Sequence, residues 1–333
     1  MTQRKPGLDV IRTIAIMVVM ITHMFNYTGV LSNNLQSVRW TLLLFLKFVT
    51  IIGVPLFLLL TGFLQSKREL NAKHYTSIIP VMLSYFVISF ISSVTEGFVS
   101  ETEVFSRIVS IFDFEYGYAW YVEMYIGLFL IIPFLNILYK SLSKKNKIVL
   151  ISILSCMTFL PASLQYVSFF GSGFEILPDF FVNLYVVAYF FIGSYIAEYK
   201  PNPKKLLCFG VLMLTAVLET VLGFIFSKEA YAWWLFNNVA SVTHAVLAVS
   251  MFLMFYNINI KNKVVLFVTK AISACSFEMY LISYLTDNFC YRYLHLSIPL
   301  ILIIDFAMAF TLANIIRFVL NPVSKAIKKC ILN

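Results

Sequence analysis

Charged side chains are scarce in this sequence. Asp, Glu, Lys and Arg make up only 12% of its 333 residues, whereas 60% of the residues are hydrophobic. A soluble globular domain carries about 25% charged residues, so this chain has too few to cover a surface that faces water. The mean hydropathy of +0.87 agrees. The composition therefore excludes an ordinary soluble protein and favours an integral membrane protein.

Cysteine and histidine are also few, and neither is grouped. The four histidines are dispersed along the chain, so we expect no metal site. The five cysteines show no paired spacing, and we interpret them as small apolar side chains within helices: Cys156, Cys208, Cys275, Cys290 and Cys330.

Segments that usually separate or target domains are missing as well. The sequence has no Gly/Ser-rich or Pro-rich linker and no appended soluble catalytic domain, which predicts a single membrane domain over residues 1–333. Arg4 and Lys5 precede an apolar stretch of full membrane-spanning length, and no small-residue cleavage site follows it. We therefore expect no cleavable signal peptide.

Long uncharged runs recur along the whole chain, and strand-like alternation is absent. A helix needs roughly 18–20 apolar residues to cross the hydrocarbon core of a bilayer. Four runs without Asp, Glu, Lys, Arg or His approach or exceed that length: Phe48–Ser66, Tyr75–Thr95, Ile148–Phe174 and Phe180–Ala197. The sequence predicts an all-α fold, a polytopic bundle of about ten transmembrane helices, at residues 8–27, 41–64, 76–95, 119–139, 147–166, 180–199, 205–226, 232–256, 267–286 and 297–320.

Basic residues are divided unequally between the alternate loops of this bundle. One set of loops contains seventeen Lys and Arg side chains, and the other contains only Arg39, Arg107, Lys228 and Arg292. Because cytoplasmic loops carry the excess of positive charge, this division predicts that both termini of a multi-pass plasma-membrane protein are cytoplasmic. Because the basic residues lie in one set of loops, we interpret the net charge of +9 as a determinant of membrane topology. We expect membrane lipids as partners and no nucleic acid.

The first predicted helix carries two ionisable residues that share a face, Arg12 and His23. They lie eleven residues apart, which is about three turns and a rise of about 16 Å. Ionisable residues inside a membrane mark functional sites, and a neutral imidazole suits general base chemistry, so both are candidate catalytic residues. Two other interpretations stay open: Arg12 snorkels to the inner headgroups with Asp9 as its partner, and His23 is a packed, hydrogen-bonded side chain.

Lys47 and Glu123 lie at a depth similar to that of His23 on this topology. With Asp9, they are candidates to orient or support the catalytic residues, and simple placement at the membrane interface is the alternative. Ionisable residues that lie deeper indicate an interior polar enough to hold a substrate path, although the sequence assigns no individual role to Glu219, His244, Glu278, Asp305 or Arg317.

The loop after the second predicted helix clusters four basic side chains, Lys67, Arg68, Lys73 and His74. Lys and Arg side chains bind phosphate groups. This loop, with Arg12 beside it, is therefore a predicted binding site for an anionic cytoplasmic donor. The alternative is that these charges only fix the membrane topology.

Four sequence blocks, in order from about residue 7 to 320, resemble the acyltransferase-3 family of membrane O-acyltransferases. The first is Leu8-Asp9 with Arg12 and His23, which looks like the family's helix-1 signature. The second, VPLFLLLTGFL at residues 54–64, has Thr61 where the family often has Ser. The others are Trp120-Tyr121 followed by IGL at 126–128 and PFL at 133–135, and SFEMYLIS at 276–283.

The resemblance implies transfer of an acyl group, usually acetyl from acetyl-CoA as co-substrate, to a hydroxyl of an extracytoplasmic, cell-surface or lipid-linked carbohydrate. It implies no bound cofactor, and it places the family's essential histidine at His23. Two positions depart from the family. Ser283 stands where the late block frequently has His, and Lys73-His74 stands where paired arginines are common. The esterase-like domain that many members append is absent from this sequence.

We expect acetyl-CoA to bind at the cytoplasmic face, and His23 to remove the proton from the acceptor hydroxyl as that hydroxyl attacks the thioester. Glu123 is the expected orienting partner of His23. Two other function classes are compatible with the same intramembrane charges. One is a transporter or flippase for a polar or lipid-linked substrate, and the other is a non-catalytic membrane subunit of a larger enzyme.

Overall fold

The structure is a computed structural model that describes residues 5–100, 104–112, 117–168, 179–232 and 238–332. Every regular element in these ranges is helical. Two 3₁₀ turns, Gly117–Ala119 and Asp179–Leu184, precede α7 and α9. The α-helices are α1 (Pro6–Thr28), α2 (Val38–Thr50), α3 (Gly53–Gln65), α4 (Ala72–Thr76), α5 (Ile79–Ser100), α6 (Val104–Phe112), α7 (Trp120–Ser141), α8 (Lys144–Ser168), α9 (Tyr185–Tyr199), α10 (Lys205–Phe226), α11 (Val242–Phe255), α12 (Lys263–Tyr293) and α13 (Ile298–Leu332).

Nine helical segments within the described ranges are long and apolar enough to cross a membrane. α2 with α3 forms one of them, and α4 with most of α5 forms another. The apolar helix α11 is shorter, with 14 residues. These ten segments correspond to the ten predicted helices, so the prediction of an all-α polytopic membrane bundle is confirmed. The cytoplasmic placement of both termini stays a prediction.

The second predicted helix, residues 41–64, is interrupted in the structure. α2 and α3 flank a turn at Ile51 and Ile52. Pro55 has no N–H to donate to the carbonyl of Ile51, and its ring crowds that carbonyl. The prediction of one continuous helix was therefore wrong at this point, and the break follows Lys47 by one turn.

Two other predicted boundaries differ from the structure. The helix predicted to begin at residue 232 begins at Val242, where Ser241 is the N-cap and accepts a hydrogen bond from the backbone N–H of His244 (3.2 Å). A side-chain acceptor at the N-cap satisfies a backbone N–H that has no partner within the helix. The predicted loop between the third and fourth spans contains α6. Residues 101–103, 113–116 and 233–237 lie outside the described ranges.

The chain divides into two compact units, of which the first contains residues up to Lys67 and Leu138–Lys270. In this unit α3 and α9 pack most extensively. A Cβ atom on Gly62 would collide with the backbone of Phe190 in α9, and one on Gly193 would collide with the backbone of Leu59 in α3. Small residues let membrane helices approach closely, so these two glycines set the α3–α9 contact.

Helix α1 packs against α3 in the same unit, and this contact fixes which face of α1 is buried. A Cβ atom on Gly53 would meet Val19 and the carbonyl oxygen of Ala15. Ala15 and Ile16 are fully buried, whereas Met17 is 44% exposed. One face of α1 is therefore enclosed by the bundle, and the face of Met17 is not.

The second unit contains Arg68–Ile137 and Ala271–Asn333. Tyr85 of α5 is fully buried. Its hydroxyl lies 3.2 Å from the carbonyl oxygen of Ile111 in α6 and 3.2 Å from Oε1 of Glu123 in α7. This one side chain therefore connects three helices of the unit.

Candidate functional site

Arg12 and His23 lie on the enclosed face of α1. The helix is continuous from Pro6 to Thr28, and at 3.6 residues per turn Met17 points roughly 130° away from both side chains. Both are half-buried, next to side chains that are fully buried. Both side chains therefore keep partial exposure on the face of α1 that the bundle encloses.

Asp9 and Arg12 form an ion pair at the first turns of α1. Nη1 of Arg12 lies 3.8 Å from Oδ1 of Asp9, which is buried, whereas 28% of the Arg12 side chain is exposed. Thr13 donates a hydrogen bond to the carbonyl oxygen of Asp9 (2.9 Å). The carboxylate therefore directs the guanidinium along the enclosed face, which agrees with both interpretations of Arg12.

An apolar strip separates Arg12 from His23. The two residues lie about 16 Å apart along the helix axis, and Ile16, Val19 and Met20 between them are buried. A ligand that reaches both polar groups must be long and must pass these apolar side chains. His23 itself has the chemistry of a general base when its imidazole is neutral.

Lys47 is fully buried in α2, although it carries an ammonium group. Its Nζ lies 5.8 Å from the centroid of the Phe25 ring, two residues beyond His23 in α1. An ammonium over an aromatic ring is attracted by the electrons of the ring face. Lys47 therefore lies in the same unit as His23, at the same end of α1.

Glu123 lies at the start of α7, in the second unit. Its Oε1 accepts a hydrogen bond from the hydroxyl of Tyr85, which holds the carboxylate against α5. The two units are separate compact bodies, so the predicted role of Glu123 as a partner of His23 stays a prediction.

The basic loop contains both exposed and buried side chains. Lys67, Arg68 and Lys73 are exposed. Asn136 of α7 donates a hydrogen bond to the carbonyl oxygen of Arg68 (2.9 Å), which fixes the backbone at the start of the second unit. Lys67 belongs to the first unit, whereas Arg68 and Lys73 belong to the second, so their joint role in donor binding stays a prediction.

His74 differs from its neighbours in the basic loop, because only 1% of it is exposed. Asn71 caps α4 by accepting from the His74 backbone N–H (2.8 Å), and the imidazole stacks on Phe129 of α7 with ring centroids 4.1 Å apart. Its Nε2 lies 2.9 Å from the Phe129 carbonyl oxygen. His74 therefore contacts α7. A cation in a solvated loop would face solvent, as Lys67, Arg68 and Lys73 do, and His74 does not.

Glu219 and His244 form a polar cluster in the first unit, to which the sequence assigned no role. Glu219 of α10 is 0% exposed, His244 of α11 is 1% exposed, and His244 Nε2 lies 3.6 Å from Glu219 Oε1. Thr243 donates a hydrogen bond to the same carboxylate oxygen. The hydroxyl of Ser241 and the carbonyl oxygen of Asn238 lie 2.7 and 2.8 Å from His244 Nδ1. The two residues meet only because α10 and α11 pack together.

A second cluster, in the second unit, includes a carboxyl that the sequence did not identify. Asp287 of α12 and Asp305 of α13 are both fully buried. Tyr118 lies within hydrogen-bonding distance of both Asp287 and Ser283. The predicted helix ended at residue 286, whereas α12 continues to Tyr293, and this extension places Asp287 on a helix.

Comparisons with known proteins identify a family for nearly the whole chain. Residues 5–318 match the family model of the acyltransferase-3 family, which is described as an acyltransferase domain. The chain is also similar to the probable poly-beta-1,6-N-acetyl-D-glucosamine export protein of Staphylococcus aureus (strain MRSA252), with 20% identity over 281 residues, which cover 82% of this chain and 79% of that protein. No solved structure matches the chain. The family match covers nearly the whole sequence, and the chain belongs to the acyltransferase-3 family.

Proposed function

We propose that this membrane acyltransferase transfers acetyl from cytoplasmic acetyl-CoA to a hydroxyl of an extracytoplasmic or lipid-linked carbohydrate. One observation carries the proposal. In a chain of this family, Arg12 and His23 lie on the enclosed face of one unbroken helix, at its two ends, with an apolar strip between them. Acetyl-CoA has phosphates at one end and a thioester at the end of a long thin arm, so its shape and chemistry match this face.

The exposed cations Lys67, Arg68 and Lys73 are the proposed contacts for the phosphates of acetyl-CoA. Charge-assisted hydrogen bonds to phosphate oxygens are stronger than neutral ones. Arg12, which keeps 28% of its side chain exposed, is the proposed contact nearest to the start of the arm. His74 is left out of this group because its imidazole is buried against Phe129.

His23 is the proposed general base. Its neutral imidazole takes the proton of the acceptor hydroxyl while the hydroxyl oxygen forms a bond to the thioester carbonyl carbon. The carbon–sulfur bond then breaks, and the proton passes to the sulfur, so that the products are the ester and free CoA. Lys47, buried at the same end of α1, is proposed to support this region, and its positive charge would favour the negative charge that develops on the carbonyl oxygen.

The carbohydrate acceptor is inferred from the family and from the relative whose name includes poly-beta-1,6-N-acetyl-D-glucosamine. A cell-surface or lipid-linked glycan of the plasma membrane would offer hydroxyl groups on the side opposite to the donor. The acyl group would thus cross the bilayer on the arm of CoA while the acceptor stays outside.

A direct test is release of free CoA. Purified full-length protein in lipid nanodiscs is incubated with acetyl-CoA and with oligomers of N-acetylglucosamine, and free thiol is measured over time. We expect thiol release that requires His23 and increases with the oligomer. Absence of release with several acyl-CoA donors and glycan acceptors, from protein that is folded and binds the donors, would overturn the proposal.

Export of a polysaccharide is a second candidate function, favoured by the name of the similar staphylococcal protein. It predicts movement of oligosaccharide into sealed vesicles without acetyl-CoA. The same vesicles distinguish the two functions, because transport without thiol release supports the exporter and thiol release that depends on His23 supports the transferase. A non-catalytic subunit would show neither activity alone.

A further inference from the structure

The cluster between α10 and α11 is built from side chains that the proposed transfer does not use. We propose that Glu219 and His244 form a buried proton-binding pair, and that protonation of this pair controls the activity of the chain. The pair lies in the first unit, and it does not include Arg12, His23 or the basic loop. Binding of the proton does not rest on the proposed function, whereas its effect is measured on whichever activity the chain has.

The hydrogen bonds of His244 determine which ring nitrogen carries a proton. Nδ1 lies 2.8 Å from the carbonyl oxygen of Asn238, and a carbonyl oxygen only accepts. Nδ1 therefore donates, and Nε2 of the neutral ring is an acceptor. Nε2 has no hydrogen-bond partner among the described residues, and it faces Oε1 of Glu219 at 3.6 Å.

The carboxylate of Glu219 leaves the pair short of one proton. Oε1 accepts from the Thr243 hydroxyl, and Oε2 has no hydrogen-bond partner within the described part of the chain. Two acceptors cannot bond to each other, and a fully buried carboxylate without a compensating charge is costly. One added proton, on the carboxyl or on Nε2, makes the pair neutral, and a second makes it positive. The pair is therefore built to bind a proton.

The groups around the pair do not supply that proton. From α9, Tyr189 faces Glu219, but its hydroxyl donates to the carbonyl oxygen of Val239 (3.1 Å), and Tyr185 packs beside Tyr189. Helix α2 packs on α10, and its buried Lys47 lies against Phe25 of α1.

Three other helices, α3, α8 and α1, pack on α11. α3 has no ionisable residue between Gly53 and Gln65. α8 contributes the Ser163 hydroxyl, which accepts from the backbone N–H of Val242 (2.9 Å). α1 meets α11 at Gly7 and Phe255, about three turns from His244. Asp9 and Arg12 lie near this contact in the sequence of α1, and His23 follows eleven residues after Arg12, nearer the other end of α1.

Two other interpretations of the cluster fit the contacts less well. Ser241 lies 2.7 Å from His244 Nδ1, but Nδ1 donates its proton to Asn238, so His244 cannot take a proton from Ser241 to make a nucleophile. A cluster that only joined α10 to α11 would have its buried polar atoms satisfied. Here the Thr243–Glu219 hydrogen bond already joins the helices, and two buried polar atoms remain without partners among the described residues.

The first experiment measures proton binding without any substrate. In full-length protein in nanodiscs, the ring nitrogens of isotope-labelled histidine are followed by NMR and the carboxyl stretch by infrared difference spectroscopy, from roughly pH 4 to pH 9. Glu219→Gln and His244→Gln assign the signals, and Glu278→Gln in the second unit is the control. We expect Glu219→Gln to shift the titration of His244, and His244→Gln to shift that of Glu219 by the same amount, about one pH unit or more.

Independent titrations, or no titration of either group in wild-type protein, would overturn the proton-binding pair. The wild-type measurement decides even if one variant fails to fold.

The second experiment compares pH profiles of thiol release or vesicle uptake, whichever the wild-type protein performs. In wild-type protein, the activity should rise or fall with pH where the pair titrates. We expect Glu219→Gln and His244→Gln to lose this change and the Glu278→Gln control to keep it. Profiles that differ only by a constant factor would show that the pair does not control activity.

Discussion

The enclosed face of α1 and the Glu219–His244 pair are both ionisable regions of the first unit, but they are sites of different kinds. On α1, Arg12 and His23 lie three turns apart on one helix and both keep partial exposure. The residues of the pair come from two helices, approach within 3.6 Å and are closed off. Partial exposure suits side chains that meet a substrate, whereas closure suits side chains that exchange only a proton.

The comparison depends on which end of α1 faces the cytoplasm, and labelling gives an all-or-none answer. Ser106 and Ser143 are both exposed and lie in loops predicted to be on opposite sides. In a background without native cysteines, Ser106→Cys should react with an impermeant external reagent in intact cells, and Ser143→Cys should react only after the membrane is opened. The reverse pattern would place Arg12 and the basic loop outside, where acetyl-CoA is absent.

The α3–α9 contact supports both regions, since α3 packs on α1 and α9 brings Tyr189 to the pair. Gly62→Ala places a methyl group against the backbone of Phe190, so we expect a loss of stability on the order of 1–3 kcal/mol and failure of both sites together. Thermal unfolding in detergent measures it. Gly210→Ala in α10 is the matched control, because nothing lies within 4 Å of its added Cβ atom; equal melting temperatures for the two variants would refute the close approach of the helices.

Neutralising the basic loop should weaken donor binding at the α1 face and leave the Glu219–His244 pair unaffected. Lys67→Gln with Arg68→Gln should weaken acetyl-CoA binding by about 1 kcal/mol for each side chain replaced, since both are exposed, or roughly fivefold each. The rate at saturating donor should change little. Binding is measured by isothermal titration calorimetry, and the Lys328→Gln, Lys329→Gln double variant of α13 controls for net charge. Unchanged affinity would show that the loop only fixes topology.

Much of the fold can be predicted from composition and from the helical repeat. The same is true of one of the two regions compared above, the enclosed face of α1. Spans could be predicted because about twenty apolar residues are enough to identify each helix. Arg12 and His23 could be paired because a single helix carries both and its geometry is known in advance. Gly53 and Pro55 are a local sequence signal for the interruption at Ile51. Membrane helices often contain Gly and Pro, so these residues alone did not predict it.

Contacts between distant segments could not be predicted in this way. His74 looks like one more loop cation, and only its stacking on Phe129, 55 residues away, shows that it is buried. Glu219 and His244 each appear as an isolated intramembrane charge, and their pairing depends on the rotation of two helices about their axes. Asp287 was missed because α12 extends beyond the predicted end. The hydropathy of the sequence decreases before the helix ends, so a prediction from hydropathy ends the helix too early.

The most direct test of the proposed chemistry compares His23→Ala and His23→Gln in one assay of CoA release, with donor affinity and melting temperature measured alongside. Glutamine keeps hydrogen bonding and approximate size but cannot accept a proton at neutral pH. If His23 is the general base, both variants lose about 10²–10⁴ in rate, whereas donor affinity and melting temperature stay near the wild-type values. An active His23→Gln protein, with only His23→Ala destabilised, would contradict that role and make His23 a packing residue.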